Sequence, residues 1–125
     1  MAVVLIVEDE EQVRVLAESI LQEHGHKTLS AGTTEQAIAL LDGNAKPELL
    51  FTDLGLHGDL QAGISLAQEA FKRLPGLPVL YTTGQGVTDG MQAMFVERYG
   101  FIAKPYTGEQ LITALENLLP TRSKN

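Results

Sequence analysis

The stretch that decides the fold is PELLFTDLGLHGD, residues 47–59. Leu49, Leu50 and Phe51 form an apolar run, Thr52 follows, and the run ends on a single carboxylate, Asp53. Gly55 and Gly58 come directly after it. A short continuous apolar run reads as a strand buried on both faces, the pattern of parallel sheets. Residues 48–52 are therefore predicted as a strand with Asp53 just beyond its carboxyl end. The glycines remove side chains from the space in front of that carboxylate.

Working outward, AVVLIV (2–7) is a second such run. HKTLS (26–30), LPVLYT (77–82) and GFIA (100–103) are predicted as three further strands, the first of them weak. Helical spacing separates them. Val13, Leu16, Ala17, Ile20 and Leu21 share one face of a helix that Gly25 stops. Thr33 and Gln36 form a T-x-x-Q capping box ahead of Ala37, Ile38, Leu40 and Leu41. Ile64, Ala67, Phe71 and Leu74 mark a third helix, and residues 89–97 a poor fourth with Gly90 near its start. Thr107 and Gln110 repeat the capping box ahead of Leu111, Leu115 and Leu118. Five β-α units predict a doubly wound parallel α/β sheet.

The 125 residues fit one domain, expected over 1–120, with 121–125 as a flexible tail. Nine Lys and Arg stand against 16 Asp and Glu, a formal net charge of -7. That balance disfavours a phosphate-backbone or anionic-membrane partner, since such binding needs basic patches. There is no cysteine, which excludes disulfides, thiolate metal sites and cysteine nucleophiles. No apolar run approaches the ~20 residues of a membrane span. The start, MAVVLIVEDEE, lacks a basic n-region, so a cytoplasmic location is expected.

In a doubly wound sheet the functional crevice lies beyond the carboxyl ends of the strands. The first strand ends in Glu8 and Asp9, the third in Asp53, the fourth in Thr82 and Thr83, the fifth in Lys104. Each alone has an ordinary reading: a helix cap for Asp9, a turn former for Asp53, a strand-end hydroxyl for Thr83, a solvated turn residue for Lys104. Together they are specific. One close carboxylate pair repels by about 4 kcal/mol at an effective dielectric of 20. Three carboxylates and one lysine leave a formal charge of -2. A hard divalent cation such as Mg²⁺ neutralises it. Asp53 is then an adequate nucleophile towards phosphorus, with Lys104 and the cation stabilising phosphoryl oxygens.

VEDE (7–10), LLFTDLGL (49–56), PVLYTTG (78–84) and FIAKPY (101–106), in this order, resemble the receiver domains of two-component response regulators, over essentially the whole chain. The resemblance implies a flavodoxin-like fold of five strands, order 2-1-3-4-5, with five helices. It implies that Asp53 is the phosphoacceptor, charged by a histidine kinase or histidine phosphotransfer protein, and that self-catalysed uptake and slow autodephosphorylation are the only chemistry. Mg²⁺ would be held by Asp9, by Glu8 largely through water, by Asp53 and by the Gly55 carbonyl. Thr83 and Lys104 would contact the phosphoryl group. Phe101 would be the aromatic switch, with a core aromatic as its alternative reading, and Lys104–Pro105 a candidate cis bond. Two departures stand out: His57 replaces a proline usual in the family, and the loop to Gly63 is one or two residues longer than common. His57, His24 and His26 are otherwise read as ordinary histidines.

The chain stops soon after its last helix, so output is expected by protein contact through the face of the fourth helix, fifth strand and fifth helix, without nucleic acid or membrane, with a homodimer as an option. A free-standing regulator and a receiver detached from a hybrid histidine kinase both fit. Three rival readings meet obstacles in the sequence. A Mg²⁺-dependent aspartyl phosphohydrolase resembling the haloacid dehalogenases needs a second Asp where Gly55 stands. A flavodoxin-like FMN carrier would meet repulsion from Glu8 and Asp9. A degenerate receiver used only for binding is at odds with the intact site residues.

Overall fold

The computed structural model describes residues 2–59, 61–84, 95 and 98–119. The strands are β1 (Val3–Val7), β2 (Lys27–Ala31), β3 (Leu49–Asp53), β4 (Val79–Thr83) and β5 (Tyr99–Ala103). The helices among the described residues are α1 (Glu11–Glu23), α2 (Thr34–Leu41), α3 (Ala62–Arg73) and α4 (Gly108–Leu118). Of the five expected helices, the one over 89–97 lies outside the described residues apart from Phe95, as does the tail at 121–125. All neighbouring strands run parallel, in the order β2-β1-β3-β4-β5. The order reverses between β1 and β3, so their carboxyl ends flank the crevice.

Alternation along the strands divides the core into two layers. Leu5, Val7, Leu50, Val79 and Tyr81 face Ala37, Leu41, Ile64 and Ala67 of α2 and α3. Val4, Ile6, Leu49, Phe51 and Leu80 face Ala17, Leu21, Leu111 and Leu115 of α1 and α4. A fully buried Leu, Ile or Phe stabilises by about 1.5–3 kcal/mol, so the central strands are firmly anchored at both faces. β3 is buried along its whole length, Asp53 included.

Several local expectations are corrected. Three strands end one residue later than predicted, at Ala31, Asp53 and Thr83, which carries Asp53 and Thr83 into the hydrogen-bonded ladder. Gln36 does not complete its box: Thr33 accepts from the Gln36 N–H, but the Gln36 side chain reaches one residue further back to the Gly32 N–H at 2.8 Å. At α4 the Thr107–Gln110 box is complete. Leu16, placed on the inward face of α1 by its spacing, is 54% exposed, because Ala17 and Leu21 fill the narrow stripe against the sheet. β5 lies at the sheet edge with alternating exposure. Phe101 is 37% exposed there, which removes its reading as a core aromatic.

Candidate functional site

Register brings the predicted groups together. Asp53 pairs with Thr82, Val7 with Thr52, and Thr83 with Ala103, so Glu8, Asp53, Thr83 and Lys104 follow adjacent strand positions. Carboxylate oxygens of Glu8, Asp9 and Asp53 all lie within 4.8 Å of one another. Glu8 and Asp53 are buried, while Asp9 is half-buried. Asp9, Asp53, Gly55, Thr83 and Lys104 line one open cleft of about 430 Å³.

Lys104 holds the site together. Its Nζ donates to Glu8 Oε2 at 2.7 Å and to Asp53 Oδ2 at 2.5 Å. Its backbone N–H donates to the Thr83 carbonyl, which fixes the chain where β5 ends. The Lys104–Pro105 bond is cis, as the resemblance implied. Asp53 Oδ1 accepts from the Gly55 N–H at 3.0 Å. With one hydrogen bond each, both Asp53 oxygens retain a lone pair.

The ionisation behaviour follows from this geometry. Burial pushes Glu8 above the usual carboxylate range, against the hydrogen bonds from Lys104 and the Glu10 N–H. Burial pulls in the same direction on Asp9, but hydrogen bonds led by the His57 N–H outweigh it and hold that carboxyl low. Burial works to lower Lys104, yet hydrogen bonds to Asp53 and Glu8 prevail and raise it, so it is a permanent cation. Tyr106, edge-on to Phe51, is pushed up to about 12 by burial and by the charge of Glu8.

The donor set fits a hard cation: three carboxylates converge while the one lysine in contact offsets only part of their charge. Glu8, Asp9 and Asp53 are the residues that could hold it. Gly55 lines the same cleft, engaged through its N–H. Thr83 is buried at the rim, and Phe101, paired with Tyr81, lies two positions along β5 from the Thr83 partner. The histidine rings make other contacts: His24 Nδ1 sits 3.0 Å from the Ile20 carbonyl, His26 is buried at the opposite end of the sheet, and the exposed His57 meets the carboxylates through its backbone N–H alone.

Two positions were undervalued by sequence reasoning. A Cβ on Gly63 would lie 2.1 Å from the Asp53 carbonyl oxygen and 2.8 Å from Leu54 Cα, so α3 can start here only with glycine. Its signal was a glycine in a first helical turn, where the residue is unfavourable. Arg14 donates to the Glu8 carbonyl at 2.7 Å and steadies the acidic pair from α1.

A family model of the response regulator receiver domain matches residues 4–116. NtrX of Azorhizobium caulinodans, a nitrogen assimilation regulatory protein, is 29% identical over 94% of this chain and 26% of its own length. PhoB of Pseudomonas aeruginosa, a phosphate regulon transcriptional regulatory protein, is 32% identical over 93% of this chain and 51% of its own. The receiver domain of NtrX from Brucella abortus superposes with a TM-score of 0.82 at 34% identity, covering 95% of this chain and 99% of that one. The chain thus spans a quarter to a half of the full-length relatives it matches. The expectation of output without nucleic acid conflicts with these relatives: the acidic charge describes these residues alone, and PhoB is named a transcriptional regulatory protein. Among the described residues no helix is long and apolar enough to cross a membrane.

Proposed function

Since the chain belongs to the family of response regulator receiver domains, we propose that it is a phosphorylation-driven signalling switch with Asp53 as the phosphoacceptor. The observation that carries this reading is the seating of Asp53 at the tip of a fully buried strand, between the Lys104 ammonium and the Gly55 N–H. An Asp53 oxygen attacks the phosphorus of a phosphohistidine on a histidine kinase or phosphotransfer protein. The new P–O bond forms as the P–N bond breaks, and the electron pair leaves with the imidazole nitrogen, which takes up a proton. Glu8, Asp9 and Asp53 are the residues that would hold Mg²⁺. When bound, the ion offsets the carboxylate charge and polarises the phosphoryl oxygens. Lys104 supplies the fixed positive charge on the other side, a contribution of the kind worth about 10²–10³ in rate.

Phosphorylation replaces a charge of -1 by roughly -2. Lys104 turns from the Asp53 carboxylate towards the phosphoryl oxygens, and Thr83 hydrogen-bonds them from the rim. Phe101 and Tyr99, both exposed on the face of β5 that points away from α4, repack and carry the change to the surface at this edge of the sheet. A target is recognised there, or a further domain of a longer, cytoplasmic protein reads the change. The domain turns over no separate substrate; dephosphorylation is its own slow hydrolysis. Beryllofluoride with Mg²⁺, a mimic of the phosphoryl group, should shift the amide resonances of Thr83, Phe101 and Lys104. Thr83→Ala should still accept a phosphoryl group yet leave Phe101 unshifted. If the Phe101 resonance moves equally in the variant, Thr83 is not the relay.

A further inference from the structure

Where proline is usual in the family, this chain places His57 at the corner of a tight turn. Leu56 and Asp59 exchange backbone hydrogen bonds at 3.1 and 3.0 Å, leaving His57 and Gly58 as the two central residues. Their φ values are +52° and +82°, the left-handed signature of a type I′ turn. Proline cannot stand at the first of these positions, because its ring fixes φ near -65°. Histidine is among the few residues that enter the left-handed region with some frequency.

The turn has a chemical consequence. It aims the His57 backbone N–H at Asp9 Oδ2, 2.9 Å away, and proline has no such N–H. The His57 ring anchors the other side of the turn, donating Nε2–H to the Gly32 carbonyl at 2.9 Å. Gly32 is itself tied down, its N–H bonded to the Gln36 side chain at the start of α2. The loops after β1, β2 and β3 are thus joined through Asp9, His57 and Gly32. The His57 N–H occupies a single lone pair of Asp9, and an ionised carboxylate offers about four such sites. The bond orients Asp9 without blocking it.

We propose that His57 is a positioning residue for the cation site: its backbone N–H, held by the type I′ turn, fixes the Asp9 carboxylate in the orientation in which Asp9, Glu8 and Asp53 take up Mg²⁺. This inference rests on the cation-dependent reading of the site given above. Hydrogen bonds that orient a ligating carboxylate typically alter metal affinity by about 10–100-fold when removed. His57→Pro abolishes both the N–H and the turn geometry. His57→Gly keeps both and sheds only the ring.

Calorimetric titration with Mg²⁺ of the parent, His57→Pro and His57→Gly separates the possibilities. His57→Pro should bind about tenfold more weakly than the parent, and His57→Gly within about threefold of it. Equal affinity in parent and His57→Pro overturns the inference and leaves the cation site intact. Weakening in His57→Gly as large as in His57→Pro also overturns it, since the amide would then not be the group that matters. A parent that takes up no Mg²⁺ overturns the underlying reading and this inference with it. A second measurement holds even if the proline variant fails to fold. In Asp9→Asn the residue-57 amide proton should move upfield, as a charge-assisted bond gives way to a neutral one. An unmoved resonance contradicts the proposed contact.

Discussion

At the amino end of the sheet, the Ala2 N–H donates to His26 Nδ1 at 3.1 Å and the Val3 N–H to Glu48 Oε1 at 2.9 Å. At the carboxyl end of the same strands, one lysine bridges two buried carboxylates, with a third carboxylate beside them. Side chains at the first end satisfy backbone donors that would otherwise be orphaned, which is ordinary structural work. Side chains at the second end are set against one another, and burial raises Glu8 above its usual range although a cation touches it. Charges gathered this way oppose folding and persist because the strands beneath are anchored in two apolar layers. The contrast places satisfied backbone donors at one end of the sheet and opposed charges at the other.

Substitutions at the carboxyl end should therefore differ in sign as well as size, and those at the amino end should be small. Gly63→Ala should have the largest effect. Its Cβ cannot fit 2.1 Å from a backbone oxygen, so β3 or α3 must shift. A loss of about 3 kcal/mol in urea unfolding is expected, together with displacement of Asp53. Lys104→Met should cost about 2 kcal/mol, because Glu8 and Asp53 lose their counter-charge. The cost stays below that of a sealed pair because Lys104 retains 21% exposure. Added Mg²⁺ should restore part of the loss, a rescue that a purely structural lysine would not show.

Glu8→Gln should go the other way, stabilising by about 1 kcal/mol at neutral pH. The sign follows from linkage. With its folded-state value raised, Glu8 favours folding at pH below the unfolded carboxylate range, and that contribution is lost as pH rises through the raised value. The gain from Gln should thus be greatest at neutral pH and vanish in acid. No gain at any pH would show that the carboxyl end is not under electrostatic strain. The smallest effect belongs to the amino end. His26 is buried, its Nε2 has no hydrogen-bond partner among the described residues, and burial depresses its basicity. The folded state resists its protonation, so stability should fall as pH drops below ~6.5. In His26→Gln this segment of the pH–stability curve should be flat.

Most of the sheet was legible because apolar runs at 2–7, 48–52 and 77–82 admit few other readings. The site was legible because its residues terminate those runs, so finding the strands located Glu8, Asp9, Asp53, Thr83 and Lys104 at one end. What escaped depends on distances between segments remote in sequence. Gly63 matters only because α3 starts against the Asp53 carbonyl. His57 looked like a surface histidine because its important group is a backbone N–H, which no side-chain pattern reveals. Leu16 fitted the helical period, but the sheet admits only a narrow stripe of α1.

The most direct test is phosphoryl uptake followed by intact-protein mass. The parent is incubated with acetyl phosphate, with and without Mg²⁺, beside Asp53→Asn. The parent should gain the mass of one phosphoryl group only when Mg²⁺ is present, and Asp53→Asn should gain none. Equal uptake by Asp53→Asn, or uptake by the parent that does not depend on the ion, would contradict a cation-completed phosphoacceptor at the tip of β3.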